Sequence, residues 1–312
     1  MFLLGIVCLV ATGLFWVLVG AIVGATERRG LSTALLLILL AVGLLACSRF
    51  ALWLQPDPEL PRQAYLVGTL SFLGCGLFDY LMMLTMGRAM RNGPNGVVWT
   101  VTQSGVIFPF LFGVIFYSVP LNGLRVLGMV ATLAALVCNG VAKGRASAAV
   151  GVPASPPAGG NWRLWMFLAF LCCGANQIFS NWPSYYPEVR EGFSAYSRTL
   201  WMHYGYLGGF LLTENRRLFR RDYWRQLSDW RLWGLTALLL LANVIVGFWV
   251  CYRGVDLVTA HGLGAICYPV MVCSCLVGFP VYSTLVLRER CTALQWAALA
   301  TGVVGIILVS LE

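Results

Sequence analysis

The 312-residue chain is 59% hydrophobic and 11% charged, with a mean hydropathy of +0.79 and a net charge of +9. Soluble domains carry about 25% charged residues, and one of this length has too little interior for so much apolar side chain, because much of any surface stays wetted; a soluble protein is excluded. Nucleic-acid binding is disfavoured too: the densest basic run, ENRRLFRRDYWRQLSDWR at 214–231, lies between two apolar stretches, where Arg and Trp mark a cytoplasmic membrane interface.

About 20 apolar residues, rising 1.5 Å each, cross roughly 30 Å of hydrocarbon. Runs of that kind predict an all-α, polytopic membrane protein with ten spans: 2–24, 32–54, 65–87, 95–117, 121–142, 162–181, 194–214, 231–253, 258–283 and 292–311. No positive charge precedes the long first run, so it reads as a retained span and not as a cleaved secretory signal. Fifteen of the 21 Lys and Arg residues fall in or beside the loops after odd-numbered spans, and the positive-inside rule then puts both termini outside the cytoplasm. Lys143 is the only Lys; the Arg bias points to a GC-rich, bacterial genome and an inner (plasma) membrane location.

Polar groups inside spans are costly, and ionisable ones tend to face a bundle interior or a water-filled cavity. In the first span, Trp16 is a candidate aromatic wall. In the third, LVGTLSFLGCGLFDYLMMLTMG, Asp79 sits centrally; it reads either as a proton, cation or substrate site or as the partner of an Arg on a neighbouring helix. In the fourth, RNGPNGVVWTVTQSGVIFPF, Asn95, Trp99 and Gln103 recur every four residues and share a helical face, after a Gly93-Pro94-Gly96 start that breaks the helix. Thr100 and Thr102 are weaker candidates, since Thr can bond its own helix backbone.

The stretch KGRASAAVGVPASPPAGGN at 143–161 lacks apolar periodicity and reads as a flexible linker between residues 1–142 and 162–312. The sixth span adds Asn176, Gln177 and Asn181. The seventh adds His203, Tyr204 and Tyr206, for which an aromatic belt at the membrane surface is the competing reading. The eighth adds Asn243 and Tyr252, and the ninth adds Tyr268, two helical turns beyond His261. The eleven Cys residues read as apolar fillers, with no metal-site spacing and no disulfide framework. No metal or other cofactor is expected.

Five spans on each side of a linker make an internal repeat of opposite orientation, if the halves are related. Residues 86–128 slide onto 256–298 without a gap, bringing Ser104 onto Ser274 and Arg125 onto Gln295. The segment 253–311 resembles the last two helices of EamA-like members of the drug/metabolite transporter superfamily, in a mid-helix Pro269, a short loop with Glu289 and Arg290, and the Gln295-Trp296 pair before a Gly-containing span. TGLFWVLVGA at 12–21 resembles the opening of that family, whereas SVPLNG at 118–123 lacks the acidic residue usual before its fifth helix. The resemblance implies a ten-helix fold of two inverted five-helix repeats. It also implies a secondary transporter, by default an exporter of a small organic metabolite, with proton coupling through Asp79 as an expectation and a sugar or nucleoside importer as the alternative. No His-Glu-x-x-His or Gly-x-Ser-x-Gly run argues for an enzyme, and the Gly/Pro-broken helices favour a closed site over a continuous channel. Gly20 and Gly24 form a small-xxx-small pair able to pack helices within or between chains.

Overall fold

The computed structural model describes residues 1–92, 95–149, 161–219, 221–285 and 292–310, and every regular element among them is helical. In chain order these are α1 (Phe2–Arg28), α2 (Thr33–Leu54), α3 (Arg62–Asn92), α4 (Asn95–Gln103), α5 (Ile107–Tyr117), α6 (Gly123–Ala149), α7 (Trp162–Asn181), α8 (Pro187–Gly192), α9 (Ala195–Glu214), α10 (Arg221–Trp224), α11 (Trp230–Val246), α12 (Tyr252–Thr259), α13 (Cys267–Leu285) and α14 (Ala293–Ser310). Six helical stretches among the described residues are long and apolar enough to cross a membrane: Phe2–Thr26, Thr33–Leu54, Arg62–Arg91, Val97–Tyr117, Trp162–Tyr185 and Trp230–Thr259. Three shorter apolar stretches, Gly123–Cys138, Gly264–Gly278 and Ala293–Gly305, accompany them.

Local chemistry sets these starts. Ser32, Asn161, Ser194 and Asp229 each accept a backbone N–H of the first turn of α2, α7, α9 and α11, replacing partners the helix cannot supply there. Within helices, Thr12, Thr26, Thr102, Thr132, Thr236 and Ser274 turn their hydroxyls onto the carbonyl four residues back, so these polar residues bury no orphan hydroxyl.

Several expected boundaries are corrected. A π turn at Gly247–Cys251 joins α11 to α12, and the helical run continues to Thr259, past the expected end at 253. The expected ninth span therefore loses 258–263: a 3-10 turn at Gly264–Ile266 leads into α13, and Pro269 lies in its first turn, where a missing N–H costs nothing, not mid-helix. His261 sits exposed in the preceding turn and is not on a shared helical face with Tyr268. The fourth span is two helices joined by a 3-10 turn at Ser104–Val106. Of the expected linker, 143–149 continues α6, and 150–160 lie outside the described residues, as do Glu289 and Arg290.

The closest crossings are built on glycine. A Cβ on Gly76 of α3 would lie 1.6 Å from the Met202 carbonyl oxygen of α9, and one on Gly205 would lie 2.2 Å from the Leu73 oxygen and 2.7 Å from the Leu77 nitrogen. Backbone meets backbone there, which only small residues permit. Gly13 makes the same approach of α1 to α13, 2.1 Å from the Met271 oxygen. Of the Gly20/Gly24 pair, Gly20 packs inside the chain under the Trp99 ring, whereas Gly24 faces open space. Packed layers then form around α3, which touches α7 and α9, and around α1, which touches α12 and α13; α6 pairs with α14.

Gly76→Ala or Gly205→Ala forces α3 and α9 apart and is expected to destabilise by about 1–3 kcal/mol or more. Thermal unfolding of detergent-purified protein, followed by size-exclusion chromatography, checks it against Gly24→Ala, which is expected to be silent.

Candidate functional site

The glycine crossings set the depth at which the polar residues meet. Asp79 follows Gly76 by one turn and Tyr206 follows Gly205 directly, so the α3/α9 contact brings their side chains together: the Tyr206 hydroxyl donates a short hydrogen bond to Asp79 Oδ2. From α7, Asn176 Nδ2 donates to Asp79 Oδ1 at 2.9 Å, while Asn176 Oδ1 accepts from Cys75 Sγ at 3.1 Å. Cys75, Asn176, Asp79 and Tyr206 thus form one chain of hydrogen bonds across three helices. The expected alternative, an Arg partner for Asp79, is not what the fold supplies.

Around this chain lies a cavity of about 160 Å³, walled by the middle turns of α1, α3, α9 and α11 together with parts of α2, α4, α7 and α13. Among the described residues its acid is Asp79, and no described Lys or Arg lines it. The His203 ring stacks on Tyr206 at 5.1 Å between centroids, and its Nδ1 bonds the Thr199 carbonyl at 2.7 Å. A carbonyl only accepts, so Nδ1 carries a proton, and in the neutral ring Nε2 is the acceptor. Trp16 stacks on Tyr268 at 6.1 Å, seated by the α1/α13 crossing, and Trp99 stands on Gly20. Met82, Met83, Met86 and Met202 complete an apolar, deformable wall.

Three polar atoms in this wall are buried without a hydrogen-bond partner among the described residues: Trp99 Nε1, Gln103 Oε1 and Gln177 Oε1. Buried polar groups are normally paired, so these three residues keep hydrogen-bonding capacity that the described residues do not use.

Of the residues singled out from sequence, Trp16, Asp79, Trp99, Gln103, Asn176, His203, Asn243 and Tyr268 line this cavity, as do Gln177, Tyr206 and Tyr252. Asn95 begins α4, and its side chain lies outside the described residues. Asn243 also bonds its own helix, its Nδ2 donating to the Leu239 carbonyl at 2.8 Å. His203 is buried, so the membrane-surface reading for it is replaced by a cavity position; its neighbour Tyr204 is exposed. Asn181 is held away from the cavity by the Gly264 carbonyl at 2.9 Å. Sequence reasoning passed over Phe15, the methionines, and Cys75 and Cys173, which line the cavity where apolar filler was expected. Nothing in a Met- or Cys-rich span distinguishes lining from packing.

It also passed over an ion pair. Arg198, near the start of α9, is fully buried; it donates from Nη1 to Asp256 Oδ1 and lies 2.8 Å from Asp256 Oδ2 through Nη2. Its remaining donors meet the Phe193 and Arg190 carbonyls, and Ser184 donates to Asp256 at 3.0 Å. The guanidinium lies 5.3 Å from the Tyr252 ring and 5.9 Å from Phe72. Since Tyr252 lines the cavity, the pair sits immediately behind one end of it. Asp256 looked like loop in the sequence because the π turn that extends the helix past 253 has no sequence signature.

No protein-family model and no curated protein matches the chain. A solved crystal structure of a protein shares the fold: the TM-score is 0.67 at 16% identity, with 98% of each chain covered. At that identity the similarity concerns the arrangement of the helices alone.

Proposed function

We propose that this chain is a secondary transporter of the inner membrane that moves a small organic metabolite, by default outward, through alternating access between two inverted five-helix repeats. The observation that carries this reading is the cavity itself: a carboxylate, orphaned polar atoms and aromatic faces gathered at the middle of several apolar helices. In such a fold the site lies where the repeats meet, near the bilayer midplane.

The helix contacts support the two repeats. An axis exchanging 1–142 with 162–310 makes α1 equivalent to α7, α2 to α9, α3 to α11–α12, α4–α5 to α13 and α6 to α14. The observed neighbours follow it: α3 packs on α7 as α12 packs on α1, α7 meets α4 and α5 as α1 meets α13, and α2 with α9 and α6 with α14 are self-paired. Details agree. Asn122 and Thr292 cap α6 and α14 by accepting the N–H of Arg125 and Gln295, and Ser104 and Ser274 bond the carbonyl four residues back. These are the residues that the sequence overlay superimposes, and they support the resemblance to EamA-like transporters.

In this reading Asp79 binds a proton or a solute charge in turn, and the Arg198–Asp256 pair is the latch at the Tyr252 end, which must part for that end to open. Arg198 is fully buried and Asp256 partly exposed, so removing the acid strands a buried charge, which in buried pairs costs about 3–5 kcal/mol; in this reading the intact pair favours the closed face.

Two outcomes test this. In proteoliposomes, Asp79→Asn is expected to abolish solute-driven proton flux, and an unchanged flux would sink the coupling. Arg198→Gln is expected to speed modification of Cys251, a lining thiol, by a small membrane-impermeant thiosulfonate, read residue by residue by mass spectrometry; an unaltered rate argues against the latch.

A further inference from the structure

The groups lining the cavity also restrict what it takes. We propose that the solute is a small protonated primary monoamine, its ammonium held by Asp79 and its apolar body, about one ring in size, held against Trp16, Trp99 and Tyr268. The inference rests on the transporter reading for its setting, but its evidence is the chemistry of the wall.

Charge is the first constraint. Asp79 receives one neutral donor on each oxygen, from Asn176 and Tyr206, and among the described residues no Lys or Arg lines the cavity. An ionised carboxylate accepts at about four lone-pair sites, so two donors fix its orientation and leave acceptor capacity facing the cavity. A cation completes it. A second ammonium, as in a diamine, has no second acid to meet among the described residues, where Asp79 is the acid in the lining. A zwitterion such as an amino acid brings a carboxylate that no described Arg or Lys of the lining answers and that Asp79 repels.

Hydrogen bonding is the second. Gln103 Oε1 and Gln177 Oε1 are buried acceptors without donors. A primary ammonium carries three N–H groups, so it donates to the carboxylate and still has donors for other lining acceptors, whereas a quaternary ammonium carries none and leaves the carboxylate without a hydrogen bond from the solute. The Trp99 indole N–H likewise has no acceptor among the described residues.

Size and surface are the third. An apolar cavity of about 150 Å³ holds one benzene ring, so about 160 Å³ suits a ring with a short arm. The Trp16 and Tyr268 faces, stacked at 6.1 Å, and the four methionines offer π-electrons and soft sulfur, both favourable beside a cation or an aromatic ring.

The test uses the whole chain in detergent, by isothermal titration calorimetry, with phenethylamine, the neutral phenethyl alcohol and the zwitterion phenylalanine. The amine is expected to bind at least about tenfold more tightly than either of the others, a difference of about 1.4 kcal/mol or more. Its N-trimethyl form is expected to be weaker than the amine, and Asp79→Asn is expected to lose the preference for amine over alcohol. Equal binding of the alcohol or of phenylalanine, or no binding of the amine, overturns the inference on the native chain alone, whether or not the variant folds. Exchange of labelled amine in proteoliposomes separates the two readings. Amine bound but never exchanged overturns transport and keeps the amine; exchange of another solute with the amine inert overturns the amine and keeps transport.

Discussion

Everything at the site depends on how closely α3 and α9 approach. With Gly76 and Gly205 facing one another, the two backbones touch, and helices in an apolar environment gain their association from just such packing because lipid offers no hydrophobic drive between them. One turn beyond Gly76, Asp79 meets Tyr206 and Asn176, which satisfies a carboxylate that is costly to bury in an apolar bundle. The α1/α13 approach at Gly13 does the same for the aromatic wall, seating Trp16 on Tyr268.

Two acids thus receive opposite treatment. Asp256 is answered by the guanidinium of Arg198, by Ser184 and by the surrounding carbonyls on that guanidinium, a closed network with little left to bind. Among the described residues Asp79 is answered by the neutral donors Asn176 and Tyr206, and it lines the cavity. A satisfied buried pair fixes structure and resists opening, whereas a carboxylate with free lone pairs invites a proton or a cation. The two lie on either side of Tyr252, Asp79 among the residues lining the cavity and Arg198 5.3 Å behind the Tyr252 ring.

Much of the site was legible in the sequence because membrane helices make polar residues rare. In a chain with 11% charged residues, Asp79, Gln103, Asn176 and His203 stand out against an apolar ground, and all four line one cavity. Where polarity carried no contrast, the reading failed. Met82, Met86 and Cys75 look identical to packing residues, and Arg198 and Asp256 sat at apparent span ends, where charge is ordinary. Pro269 and His261 were misplaced for a related reason: periodicity locates apolar runs but not the 3-10 and π turns that break or extend them.

The sequence by itself determined that the chain is helical and apolar enough to cross a membrane, because composition and run length fix how much backbone must satisfy itself inside helices. It also determined which side chains were too polar to lie idle there. Only the tertiary structure decided which of these meet. Asn176 lies 97 residues from Asp79 and Tyr206 lies 127, and no local pattern encodes a contact made across helices by the absence of two Cβ atoms.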